Sequence, residues 1–234
     1  MATNNTVLVV GSGPSGCACA AALLDASRDA TLRVVVVERG PDLPRDATAR
    51  WGFPSSLIEE EAYVACGYAP FAGCAWAGTG AALGGGSALN AGALIEDAHY
   101  WQNEWGGHGT RWHKGDMRRC AATVLAKLGV DEDRPPDARS EAFVEACGAV
   151  GLDDAFRPRL AFDRAGMRCG AWTLLPRTDT RLRVVHGQAM EIRMAAGRAT
   201  GVRLADGMFS STGAADLSSE HTQQHEHRAL RAEC

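Results

Sequence analysis

From Gly11 to Gly16 the chain reads GSGPSG, and glycines at positions 11, 13 and 16 have the spacing of a loop built to lie against phosphate. Each glycine has a mechanical reason: a tight turn, close backbone approach to a pyrophosphate, and close contact between helix and strand. Glu38, 22 residues beyond Gly16, stands where a dinucleotide fold carries its ribose-binding acid. A carboxylate there accepts hydrogen bonds from ribose hydroxyls and repels a 2′-phosphate, so FAD or NAD is expected in preference to NADP. The candidate cofactor contacts in this stretch are Gly11, Ser12, Gly13, Ser15 and Gly16, with Glu38 and the adjoining Arg39. The competing interpretation is an unliganded strand-helix-strand unit with a solvated acid at a strand end.

A second stretch, Trp76 to Ile95, reads WAGTGAALGGGSALNAGALI. Gly78, Gly80, Gly84, Gly85, Gly86 and Gly92, with the alanines among them, remove side chains so that backbone can lie against a large flat ligand. A flexible linker of this glycine content would be polar. This one is interleaved with Trp76, Leu83, Leu89, Leu94 and Ile95.

The elements that must position these residues are legible around them. Thr6 to Val10 (TVLVV) is a short apolar, β-branched run suited to a strand buried in a parallel sheet. An alanine- and leucine-rich helix is predicted over about 15–27, its first amides facing the phosphates. A second buried strand, Leu32 to Val37 (LRVVVV), delivers Glu38. Arg181 to Gly207 has the alternation of a β-meander: Met190, Ile192 and Met194 alternate with Glu191 and Arg193, AAG turns the chain, and Thr200, Val202 and Leu204 continue.

GTGAALGGGSALNAG, taken with GSGPSGCACAAALL and VVVVERG, resembles the signature of the glucose-methanol-choline (GMC) flavoprotein oxidoreductases. The resemblance implies a Rossmann-like α/β FAD-binding domain with a parallel sheet and a β-meander, plus an incomplete substrate domain. It implies FAD contacts from Thr79, Gly84, Gly85, Asn90, Ala91 and Gly92, and an adenine contact through the backbone of Met190. Gly86 stands where the family commonly has a serine. HYWQNEWGGHGTRWHKGDM and AFVEACGAVGL also resemble family segments; Tyr100, Trp101, Trp105 and Trp112 are read as packing residues.

The likeness covers about residues 5–208, and the FSSTGAADLSSEHTQQHEHRALRAEC that follows departs from the family. The expected organisation is a GMC-type region over 1–208, with a nucleotide core from 5–45, 75–100 and 181–207. Excursions fill 46–74 and 101–180, and a polar tail with little order occupies 209–234. In the family the base that takes the hydroxyl proton is a histidine near the C-terminus, assisted by a histidine or asparagine, and no matching position is found here. No catalytic residue is therefore assigned. His99, His108, His113 and His186 are read as structural or exposed, and His221, His225 and His227 as part of a solvated tail with no metal.

Composition narrows the partners. With 46% hydrophobic residues and a formal net charge of −4, the 234-residue chain can bury a globular core and has no basic field to hold nucleic acid or anionic lipid. Its eight cysteines form no CxxC pair or zinc spacing and are read as mostly reduced, buried thiols. The opening lacks a secretory pattern and CACAAALL is too short to span a bilayer, which implies a cytoplasmic protein without a transmembrane segment. By resemblance the function is FAD-dependent oxidation of a small-molecule alcohol at a CH–OH group, catalytically incomplete in this chain. The alternatives are a non-catalytic FAD-binding or partner-binding remnant and an NAD-binding Rossmann protein.

Overall fold

The computed structural model describes residues 5–40, 42, 80–88, 90, 92–94, 114–131 and 133–205, with 114 and 207–210 described by backbone alone. The first unit is β1 (Thr6–Val10), α1 (Pro14–Ala26) and β2 (Arg33–Glu38), the order and near-boundaries expected from sequence. Pro14 opens α1, where its missing N–H costs nothing and its fixed φ suits the helix. β1 and β2 pair in parallel from Thr6↔Arg33 to Val10↔Val37.

Further along come β3 (Ala93–Leu94), α2 (Lys114–Leu128), α3 (Ala138–Ala149) and β4 (Arg159–Leu160). They are followed by β5 (Leu182–His186), β6 (Ala189–Ala195), β7 (Arg198–Leu204) and β8 (Gly207–Ser210). Here the structure corrects the sequence. Leu182–His186 is no part of the meander; it joins β2 in parallel, from Val34↔Leu182 to Glu38↔His186, giving the sheet order β1-β2-β5. Period-two alternation reports that one face is buried, not which sheet a strand joins. The meander proper is β6-β7-β8, and β8 carries it to Ser210, into the stretch expected to lack order from 209.

The valines of β2 point alternately to two cores. Val34 and Val36 pack against Cys17, Ala20, Ala21 and Leu24 of α1, with Leu83, Ala171, Leu174 and Leu175 in the same cluster. Val35 and Val37 pack with Val185, Val202 and Leu204, so the meander covers the opposite face. The 101–180 stretch, expected to be an excursion, thus contributes Ala171, Leu174 and Leu175 to the core of the nucleotide unit. Arg181 ties β5 to the end of α1: its guanidinium donates to the carbonyls of Ser27 (2.9 Å) and Leu24 (3.0 Å), orphan acceptors of the helix C-terminus.

The β6-β7 connection is Ala196-Gly197, with φ of 48° and 76°. Two successive positive φ values define the type I′ hairpin turn, for which Asn-Gly is the preferred pair and alanine is strained. Ala196→Asn is therefore expected to stabilise the chain by about 1 kcal/mol, seen as a higher urea midpoint with an unchanged slope.

Candidate functional site

The two glycine-rich stretches meet. A Cβ on Gly85 would lie 2.8 Å from Cα of Gly13, and the amide of Gly84 donates to Oγ of Ser12 at 3.0 Å. Gly40, at the end of β2, passes so close under the second stretch that a Cβ there would lie 1.7 Å from the carbonyl oxygen of Ala81. The third glycine of the first turn does what its position predicts: a Cβ on Gly16 would fall 2.0 Å from the Gly11 carbonyl oxygen. Gly11 itself has φ +90°, open to glycine and strained for other residues.

Gly13 and Gly86 are different. A Cβ on either would meet nothing within 4 Å, so both border open space. Gly13 is the N-cap of α1 with no side chain capping it, and the helix makes its first hydrogen bond from Cys17 N–H to the Gly13 carbonyl at 2.9 Å. The amides of Ser15 and Gly16 precede that bond, and first-turn amides attract anions.

Glu38 is 4% exposed and its carboxylate turns inward. Oε2 accepts from the Ser12 amide (2.8 Å) and the Ser12 hydroxyl (2.6 Å), and Oε1 accepts from the Gly40 amide (3.0 Å). A carboxylate has about four acceptor positions, so three of them hold the loops together and one is left. His186 Nδ1 donates to the Gly40 carbonyl at 2.7 Å, which fastens the end of β5 to the same turn.

The second stretch is braced from residues that sequence reasoning did not find. Ser87 Oγ donates to the Gly84 carbonyl (2.6 Å) and accepts from the Ala171 amide (2.8 Å). The Trp172 ring lies where a Cβ on Gly84 would come within 2.5 Å of it. The buried Arg168 donates through Nη1 to the carbonyl of Asn90 (2.5 Å) and to its Oδ1 (3.1 Å), while stacking 5.5 Å from the centroid of Phe162. Asn90 Oδ1 also accepts from the Gly92 amide at 2.9 Å, so its side chain shapes its own turn. Arg168 lies 78 residues from Asn90 and Ala171 lies 84 from Ser87, separations at which spacing carries no signal.

Of the remaining sequence candidates, Arg39 is exposed and Met190 is 51% exposed, near the end of β5. The β6-β7 register advances from Ala189↔Leu204 to Glu191↔Arg203, a bulge that leaves Met190 without an opposite residue. Thr79 and Ala91 lie outside the described residues, as do Trp76, Tyr100, Trp101, Trp105, Trp112 and every histidine but His186. A cleft of about 600 Å³ lined by Gly129, Asp131, Asp133, Asp163 and Arg164 contains none of the glycine-rich residues.

Cys17 sits beneath the first turn, fully buried, its thiol donating to the Ser12 carbonyl at 2.9 Å. Burial, reinforced by the nearby Glu38 charge, pushes this thiol up to about 12 from an ordinary value of 9.0. The folded state holds the proton more tightly than the unfolded, so stability is unaffected below about pH 9 and falls as pH rises from there toward 12. Alkylation of the native chain near neutral pH is expected to label exposed Cys19 and spare Cys17, as read by peptide mass spectrometry. Cys120 is also exposed and Cys169 buried, so the expectation of mostly buried thiols holds only in part among the described cysteines.

The family model for GMC oxidoreductases matches residues 6–182 of this chain. The chain belongs to the GMC oxidoreductase family. Its fold matches pyridoxine 4-oxidase from Mesorbium loti with a TM-score of 0.61 at 18% identity, over 88% of this chain and 47% of that one. It matches formate oxidase from Aspergillus oryzae RIB40 with a TM-score of 0.59 at 14% identity, over 90% and 44%. It also matches an FAD-dependent oxidoreductase from Chaetomium thermophilum with a TM-score of 0.59 at 18% identity, over 91% and 43%. This GMC chain therefore spans less than half the length of these solved relatives, and at these identities the likeness carries the fold alone. No curated protein sequence matches it.

FAD is the cofactor of the family, as expected from the sequence, and membership sets NAD aside. The residues present fit it: open space faces Gly13 and Gly86, an uncapped helix start stands beside that space, and the Glu38 carboxylate has one acceptor position in hand. Among the described residues no helix is long and apolar enough to cross a membrane, and no group of three or more metal-ligating side chains occurs.

Proposed function

We propose that this chain supplies the FAD-holding part of a GMC oxidoreductase that oxidises a CH–OH group of a small alcohol. The observation that supports the reading best is the contact between the two glycine-rich stretches around Ser12, Gly13, Gly84 and Gly85, beside which Gly13 and Gly86 border space that no neighbouring side chain or backbone fills. The amides of Ser15 and Gly16 at the start of α1 hold the diphosphate, with Gly11 and Gly13 allowing the close approach. Glu38 gives its remaining acceptor position to a ribose hydroxyl, and Arg39 lies at the rim. Gly84, Gly85, Asn90 and Gly92 line the side toward the flavin, a role the family resemblance also implies for Thr79 and Ala91. The bulge at Met190 takes a backbone amide and carbonyl out of the ladder, the groups an adenine edge requires.

When bound, FAD supplies the hydride acceptor. The described residues of this chain orient it and assign no base, so alcohol oxidation needs a proton acceptor beyond them. The test is the visible spectrum of the FAD-loaded chain under anaerobic addition of alcohols. Bleaching of the flavin band supports alcohol oxidation by this chain. A yellow protein that never bleaches leaves the non-catalytic FAD-binding remnant, and a chain that takes up no FAD ends the proposal.

A further inference from the structure

We propose that Ser12 is a positioning residue: its hydroxyl relays the Glu38 carboxylate to the amide of Gly84 and so sets the second glycine-rich stretch at the height FAD requires. The inference rests on the cofactor reading above and adds a role for a side chain that the motif spacing leaves unspecified.

The direction of the bonds follows from their partners. Ser12 is fully buried, and its single hydroxyl proton has two acceptors within reach, Glu38 Oε2 at 2.6 Å and the Ala82 carbonyl at 3.4 Å. The shorter bond to a carboxylate is the stronger, so the proton goes to Glu38. That choice turns the oxygen lone pairs outward, where the Gly84 amide donates to them at 3.0 Å. The Ser12 amide also donates to Oε2, at 2.8 Å, which removes free rotation of the residue against Glu38.

A chain of bonds thus runs from the end of β2, through the first turn, to the second stretch, across 72 residues of sequence. Gly84 has φ +95° and the Trp172 ring pressed against it, so its amide is held between the relay on one side and the ring on the other. Alanine at position 12 keeps the Ser12 amide bond to Glu38 and deletes every bond of the hydroxyl: those to Glu38 Oε2 and the Ala82 carbonyl, and the one accepted from the Gly84 amide.

The experiment compares Ser12→Ala with Cys17→Ala, which removes the neighbouring thiol contact to the Ser12 carbonyl but leaves the relay intact. Two quantities are read on folded protein: FAD affinity by fluorescence titration, and exchange of the Gly84 amide in the unliganded chain. Ser12→Ala is expected to weaken FAD binding roughly ten- to hundredfold and to speed exchange at Gly84, while Cys17→Ala changes neither. FAD affinity in Ser12→Ala within about twofold of the unaltered chain, an unchanged Gly84 amide, or an equal loss in Cys17→Ala overturns the proposal. If Ser12→Ala does not fold, the unaltered chain decides: a Gly84 amide protected from exchange supports the relay, and one exchanging at the unprotected rate refutes it. If the unaltered chain binds no FAD, the cofactor reading fails by itself and the Gly84 exchange still judges the relay.

Discussion

Replacing Gly16 by alanine is expected to destabilise the chain by about 3 kcal/mol and to abolish FAD uptake, whereas the same replacement at Gly13 leaves stability within about 1 kcal/mol and still abolishes uptake. The contrast comes from what a new methyl group would meet. At Gly16 it would sit 2.0 Å from the Gly11 carbonyl oxygen and 3.4 Å from Val9 Cγ1, so α1 must move away from β1 and open the core at Val34 and Val36. Backbone cannot swing aside as a flexible side chain can. At Gly13 the methyl group meets no protein atom within 4 Å and φ is −62°, a value any residue adopts. It would occupy only open space at the start of α1, where the diphosphate is proposed to lie. Urea denaturation and retained flavin absorbance, measured on both variants, separate packing from binding.

Glu38→Ala is expected to cost about 4 kcal/mol, more than a ribose contact alone would suggest. Three donors, the Ser12 amide, the Ser12 hydroxyl and the Gly40 amide, lose their acceptor together in a site closed to water. Each unsatisfied buried donor costs roughly 1–3 kcal/mol, and part is recovered by relaxation. The expected result is a lower urea midpoint in the unliganded chain. An acid whose only duty was the ribose would leave that midpoint unchanged.

How much of this was legible in the sequence depends on what kind of distance is involved. The turn at Gly11 to Gly16, the strands flanking it and the acid at position 38 are tied to one another by helix rise and strand length, so spacing reveals them. The absence of side chains around Gly84 and Gly85 revealed a close approach but not what approaches. Arg168 on Asn90 and Trp172 on Gly84 are meetings made by the folded chain, with no local pattern to betray them. Glu38 was legible as an acceptor but its internal partners were not, because residue type reports an acceptor while packing decides which donors reach it first. The alternation over 181–207 concealed a change of sheet at Gly187 and Gln188, where β5 ends and β6 begins.

The first glycine turn and the second glycine-rich stretch are proposed to hold one FAD between them. Hydrogen exchange across an FAD titration tests it most directly. The peptides covering 11–17 and 80–88 are expected to gain protection together, at the same FAD concentration and to the same saturation. Protection confined to one of the two, or appearing in each at different FAD concentrations, contradicts the proposal.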